Sequence, residues 1–284
     1  MKHLIITTMV LLSAISIAAQ EKPAPIRTGG QFRIGIGYQR TWIKDRQASP
    51  LRYQSSDKTI TLGYTKLSEE DLFNAEIKAA IGDLFPAGYR NRNWYHPNYQ
   101  PGGVLKLDSS RLKGTLYNSH IRIAYARNIS NGYTSIGGED LNSYRYAGVS
   151  LNSQLFYTDN IVRTGWMHAA SVNADFMQLS RLQSGHYFSF RITIPLFSRN
   201  TRLPYHNTVS SADNRSGMAT LFRQGTKWAW LGNFHNIRLD AGYEYALSNN
   251  ARLGLQYSGQ FLHYDKEAPV TLFQNNVAIN MAFQ

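Results

Sequence analysis

Nine titratable residues stand inside apolar-rich stretches of the chain: Glu76, Lys78, His120, Arg122, Asp175, Arg191, Arg238, Asp240 and Arg252. Residues of these types can pair as ions, line a polar passage that binds or passes a solute, or share a proton as two carboxylates do. Asp175 with Asp240 would be the carboxylate pair of a protease. Nothing in their spacing demands that pairing, because residues on separate elements can meet in almost any combination.

Serine chemistry needs a histidine within hydrogen-bond reach of a hydroxyl. Ser119 and His120 are adjacent, and His186 precedes Ser189 by three positions. On a strand both spacings place the two side chains on opposite faces. The chain has no Walker loop, no His-Glu-x-x-His and no Gly-x-Ser-x-Gly elbow. With no cysteine, thiolate metal sites and disulfides are excluded. His96 and His206 are isolated, so neither a metal nor a cofactor is implied. Aromatics interleaved with cations in 82–112 (Arg90, Arg92, Trp94, Tyr95 and Tyr99) form a candidate grip for a sugar ring or peptide. The same residues would equally suit an outer loop folded back on its support.

The elements that position these residues are read from period-two alternation. Phe32, Ile34, Ile36 and Tyr38 alternate with Arg33, Gly35, Gly37 and Gln39. Ile121 and Ile123 alternate with His120 and Arg122, and Phe188, Phe190, Ile192 and Ile194 with Ser189, Arg191 and Thr193. Ile237, Leu239 and Ala241 oppose Arg238 and Asp240, and the last run sets Val277, Ile279, Met281 and Phe283 against Asn276, Ala278 and Asn280. Such strands have one apolar and one polar face. Segment 68–81 fits either a helix capped by Ser68 or a strand with Phe73, Ala75, Ile77, Ala79 and Ile81 on the apolar face; the strand is the preferred reading.

A soluble barrel hides the apolar face, whereas a membrane barrel turns it to lipid. Three features favour the membrane: aromatics at strand ends, connections of uneven length, and a last amphipathic strand with Phe283 next to the terminus; a secretory signal separately indicates export. Tyr38, Trp42, Tyr64, Tyr125, Tyr157, Trp166, Tyr245 and Tyr257 are read as strand-end aromatics, as in interfacial girdles. Connections are uneven, with Ser248-Asn249-Asn250 tight and 82–112 and 198–230 long. The chain also opens with Lys2 and His3, an apolar run over 4–17 and small residues Ala18 and Ala19. That pattern is a secretory signal over 1–20, leaving 21–284 as the barrel.

On these residues, and on an amphipathic last strand with Phe283 followed by Gln284, the chain resembles the outer-membrane β-barrel proteins of Gram-negative bacteria. The resemblance is one of architecture. It implies an all-β, closed antiparallel transmembrane barrel with an even strand number. The count is ten, or twelve if Asn131-Gly132 closes a hairpin and 218–230 adds a strand. It also implies outer-membrane localisation and a C-terminal strand read by the barrel-insertion machinery. The His-x-Ser spacing of barrel-embedded lipid hydrolases does not occur.

The net charge of +12 calls for an anionic neighbour. Export removes nucleic acid, leaving anionic lipid headgroups and lipopolysaccharide phosphates as partners; Arg199, Arg202, Arg215, Arg223 and Lys227 in 198–230 fit such a surface. A small solute remains open as a ligand. Inside a barrel of ten or twelve strands the inward charges are read as an ion-pair plug ahead of a channel lining. The functional expectation is a non-enzymatic barrel acting as a narrow channel, surface binder or structural component. The alternative is a barrel enzyme hydrolysing lipid or peptide at the cell surface.

Overall fold

The computed structural model describes residues 29–46, 51–90, 92–99, 105–111, 113–136, 139–159, 165–182, 185–202, 222–223, 225–248, 250–266 and 268–284. The signal segment, His206 and Arg215 lie outside the described residues. Thirteen strands follow one another in the described chain: β1 (Gly29–Asp45), β2 (Tyr53–Leu67), β3 (Asp71–Pro86), β4 (Asn93–Tyr99), β5 (Leu105–Arg111), β6 (Gly114–Ile136), β7 (Glu139–Asp159), β8 (Gly165–Leu182), β9 (His186–Arg202), β10 (Thr226–Trp230), β11 (Phe234–Ala246), β12 (Ala251–Tyr264) and β13 (Val270–Phe283).

Ten of them close a ring in the order β1-β2-β3-β6-β7-β8-β9-β11-β12-β13 and back to β1. Every neighbouring pair is antiparallel, so no backbone edge of the ring is left to hydrocarbon. The ring strands are 13 to 23 residues long, beyond the roughly 9 to 11 that cross a bilayer at a tilt.

The count therefore falls at ten. Asn131 and Gly132 do not turn; they continue β6, opposite Tyr144 and Ser143 of β7. An Asn-Gly pair favours a hairpin only where the chain must reverse, and here β6 and β7 run on together. The 218–230 region supplies β10, which pairs with β9 outside the ring. The described parts of both long connections include strand residues. In 82–112, β3 extends to Pro86 and β4 pairs with β5 as a separate hairpin; in 198–230, β9 continues to Arg202. Segment 68–81 joins β3, as preferred. The Ser68 hydroxyl accepts from the Asp71 amide at 2.8 Å, but it closes a β2–β3 turn rather than starting a helix.

Tight turns cluster at the end that carries Gly29 and Gln284. Gly185, with φ +86, closes the β8–β9 turn by donating its amide to Leu182. Ser248 accepts from the amides of Asn250 and Ala251 between β11 and β12. The longer connections leave from the opposite end. In outer-membrane barrels short turns face the periplasm and long loops face out, which sets the two ends used below.

The apolar positions of the ring point outward. Phe32, Ile36, Ile60, Ile77, Leu151 and Ile279 are each exposed by half or more, while Gln39, Asp57, Asn173, Arg122 and Asn280 are buried inside. Aromatic pairs mark both rims. Phe32, Tyr64 and Phe73 sit in sequence near the periplasmic end with centroids 4.9 and 6.4 Å apart; Trp42 with Phe273 and Tyr117 with Tyr157 lie towards the outer end at 5.6 and 5.7 Å. Tyr38 and Tyr257 are not at strand ends, because both pair with Val277 half-way along β13.

Candidate functional site

The inward positions repeat every second residue, so Glu76 and Lys78 of β3, His120 and Arg122 of β6, and Arg238 and Asp240 of β11 enter one lumen as adjacent pairs. Register sets the first contacts. Glu76 lies opposite Arg122, Lys78 opposite His120, and Asp240 opposite Arg191. In the closed ring β11 stands five strands from β3 by either route, so a β3–β11 contact spans the full width of the lumen.

Arg238 makes that contact. Its Nη2 donates to Glu76 Oε1 at 3.0 Å and its Nε to Asp240 Oδ1 at 2.8 Å. Its Nη1 is 3.1 Å from His120 Nδ1. Arg122 donates to Glu76 and Asp240 from the other side, each at 3.4 Å. Ser258 donates to Asp240 at 2.6 Å. Asn74 Oδ1 accepts from Arg122 at 3.2 Å and Arg191 at 3.1 Å, joining both guanidiniums through one amide. A second branch runs from Lys78 Nζ to Gln39 Oε1 at 2.9 Å, and from Gln39 Nε2 to Asp57 Oδ2 at 3.0 Å; Thr41 and Ser55 also donate to Asp57.

Four buried cations (Lys78, Arg122, Arg191, Arg238) thus face four buried carboxylates (Asp57, Glu76, Asp175, Asp240), a balance of zero formal charge. Balance is what permits burial, since an unpaired buried charge is destabilising by several kcal/mol, roughly 3–5. Asp175 and Asp240 do not share a proton-holding site. Thr193 donates to Asp175, whose nearest cation is Arg191 at 3.7 Å, while Asp240 is held by Arg238 and Arg122. Arg252 stands apart, nearer the periplasmic mouth, with Nη1 3.7 Å from Glu244 Oε2 and its guanidinium 4.0 Å over the Tyr187 ring.

Above the charged belt, towards the outer end, Gln154, Asn236 and Gln260 hydrogen-bond across the lumen, Gln260 donating at 2.7 Å to Gln154 and 2.6 Å to Asn236. Above the amides the interior turns apolar. Phe156, Met167, Phe234, Leu262 and Leu272 form one buried cluster, and Tyr53, Leu84 and Leu116 another. Arg202 ties this end together, donating to Asp45 at 2.6 Å and to the Ala268 carbonyl.

An apolar exterior, a polar and charged interior, and a closed even-stranded ring leave one reading. This is an outer-membrane β-barrel, and its place is the outer membrane. No family model matches the chain, and no curated protein matches it. Among solved structures it is similar to the outer membrane protease OmpT from Escherichia coli, at 8% identity over 93% of this chain and 99% of that one, with a TM-score of 0.46. It is similar also to the transport unit of the autotransporter AIDA-I from Escherichia coli, at 10% identity over 98% and 96% of the two chains and a TM-score of 0.39. A third is an outer membrane channel from Pseudomonas putida F1, at 9% identity over 93% and 100% and a TM-score of 0.37.

All nine titratable residues singled out from the sequence lie on the inner side of the barrel wall, and eight of them join the belt or touch it. The site candidates read from the sequence did not include Asp57, Arg33 or Glu244, although each follows the alternation of its strand onto the polar face. The apolar seal was also missed. The signal for that was present as adjacent apolar pairs, Leu155-Phe156, Phe261-Leu262 and Leu272-Phe273, which make both faces of a strand apolar at once.

Among the loop candidates whose side chains are described, Arg90, Arg92 and Tyr95, no shared contact gathers them. Arg90 stacks over Phe85 at 5.4 Å and Arg92 over Tyr89 at 5.1 Å; Tyr95 is exposed on β4. Trp94 and Tyr99 belong to the same strand, and their side chains lie outside the described residues. His186 and Ser189 fall on opposite faces, His186 pairing outward with the Tyr243 hydroxyl at 2.7 Å. One serine–histidine contact was not foreseen, because its members are on different strands. Ser153 Oγ of β7 is 2.9 Å from His168 Nε2 of β8 on the outer, lipid-facing side.

Proposed function

We propose that this chain is a non-enzymatic outer-membrane barrel, closed at rest, that serves as a structural or surface-binding component of the membrane rather than as an open pore. The observation that carries the reading is Arg238 of β11 reaching Glu76 of β3 across the whole lumen at 3.0 Å, under a separate apolar seal. A hydrated ion crossing here must break paired charges and then traverse buried Phe156, Phe234 and Leu262.

Planar-bilayer recording tests it. The wild-type protein is expected to be silent, and Arg238→Ala with Leu262→Ala, which thins both barriers, is expected to conduct. Steady wild-type conductance overturns the reading. The surface-binding component concerns lipopolysaccharide phosphates. Arg40, Lys58 and Arg199 face outward on the upper parts of β1, β2 and β9, where cations meet phosphate groups. Charge reversal at Arg40 and Lys58 is expected to weaken lipopolysaccharide binding to the reconstituted barrel; unchanged binding removes this component.

A second reading is favoured by one specific contact. Ser153 and His168 have the reach of a nucleophile and its base, and they face acyl chains beside Trp166. They would make the barrel an ester hydrolase at the membrane surface. Each also satisfies the other's hydrogen bond in an apolar setting, which explains the pair without catalysis. Ester turnover lost in Ser153→Ala supports the hydrolase; no turnover by the wild type removes it.

A further inference from the structure

Below the belt, at the periplasmic end, the lumen widens into a cavity of about 110 Å³. On the same measure one water needs roughly 10–15 Å³, so the space holds several waters or one small solute. It is far smaller than the roughly 300–1,000 Å³ of a typical ligand pocket, which excludes a nucleotide or an oligosaccharide.

The charge of its wall is unbalanced. Arg33, Arg122, Arg181, Arg191 and Arg252 line it, against Asp240 and Glu244. Arg122, Arg191 and Asp240 are already counted in the neutral belt above; beyond them, Arg33 and Arg252 face one lining carboxylate, Glu244, and those three leave an excess of one positive charge. Both carboxylates are already engaged, Glu244 by Arg33 at 2.7 Å and Arg252 at 3.7 Å, and Asp240 by Arg238 and Arg122. Arg191 is buried, 4% exposed. Its Nη1 is used on Asn74, but its Nη2 has no hydrogen-bond partner among the described residues. A buried guanidinium N–H without an acceptor is destabilising, by roughly 1–3 kcal/mol for an ordinary polar group and more for a charged one. Leu67, Leu72, Met177 and Leu179 supply an apolar side to the same cavity.

We propose that this periplasmic cavity is a binding site for a small oxyanion, phosphate or carboxylate, carrying a short hydrocarbon tail. The oxyanion accepts from Arg191 Nη2, with Arg252 and Arg33 nearer the mouth. The tail lies against Leu72, Met177 and Leu179. The proposal goes beyond the closed-lumen reading and concerns a different level of the barrel, and it is read by binding instead of conductance, so either can fail alone.

The test is titration calorimetry on the full barrel in nanodiscs of zwitterionic lipid, with three probes: hexyl phosphate, inorganic phosphate and hexyltrimethylammonium. Hexyl phosphate is expected to bind at least about tenfold more tightly than inorganic phosphate, and hexyltrimethylammonium not to bind. Arg191→Met is expected to weaken hexyl phosphate by about tenfold or more, the scale of one charge-assisted hydrogen bond. Arg252→Gln, at the mouth and outside the belt, is the second variant should Arg191→Met fail to fold, and is expected to weaken it several-fold. Repetition in phosphatidylglycerol nanodiscs separates two sources of the same chemistry. Weaker binding there identifies a lipid headgroup as the competing occupant, and unchanged binding identifies a free solute. Equal binding of the cationic probe, no heat with hexyl phosphate at millimolar concentration, or wild-type affinity in folded Arg191→Met or Arg252→Gln overturns the proposal.

Discussion

Replacing Arg238 by alanine removes the one guanidinium that touches Glu76, Asp240 and His120 together. The four-to-four balance of the belt becomes three cations against four carboxylates, in a layer where each member is under a tenth exposed. Removing one partner of a buried pair is destabilising by about 3–5 kcal/mol, mostly because the remaining charge stays buried. Arg122 still reaches both carboxylates at 3.4 Å, so the lower end of that range applies, about 3 kcal/mol. Urea unfolding of the barrel in lipid vesicles, followed by tryptophan fluorescence, measures the loss as a shift in midpoint at unchanged slope. The double variant Glu76→Gln with Arg238→Met returns the belt to three against three, and is expected to recover most of the stability that Arg238→Ala loses. A single variant within about 1 kcal/mol of wild type, the range of an exposed pair, would refute the cross-lumen ion pair as a structural element.

Two further outcomes follow from the wall itself. Ile36 is 66% exposed between Ile60 and Ile279 on the outer face. Ile36→Lys is expected to destabilise the barrel in vesicles by about 2–4 kcal/mol, the range for a cation near the bilayer midplane, where a water-exposed site would show almost no change. Gly148 lets β7 approach β6 closely: a Cβ there would lie 2.1 Å from the Tyr125 carbonyl oxygen and 2.4 Å from Ala126 Cα. Both obstacles are backbone, so Gly148→Ala is expected to lose about 3 kcal/mol or more, read as loss of the compact band on unheated gel electrophoresis; a normal compact band contradicts the close approach.

The face of each strand was legible because a two-residue period survives any change of register. Ile34 against Arg33, or Leu239 against Arg238 and Asp240, assigns outside and inside without knowledge of neighbours. Pairing was not legible. Arg238 and Glu76 are 162 positions apart, and their meeting depends on which strand closes on which across the ring. Asn131-Gly132 misled because a dipeptide that permits a turn does not require one, and β7 offered a continuous partner. The candidate site was therefore read as a set of inward charges, while its division into a neutral belt, an apolar seal and a basic cavity came only from the closed sheet. Asp57, the sole carboxylate among the inward positions of β2, and Glu244, four residues beyond Asp240 on β11, complete that charge pattern and gave little local signal.

Because the chain contains no cysteine, single cysteines at Val149, Ser150, Leu151 and Asn152 of β7 can each carry a spin label in an otherwise unlabelled barrel. In lipid vesicles, collision with dissolved oxygen, which concentrates among acyl chains, should be high at 149 and 151 and low at 150 and 152. A flat profile, or labels at 149 and 151 that are sheltered from lipid while 150 and 152 meet a water-soluble nickel complex freely, would contradict the outward-facing apolar wall.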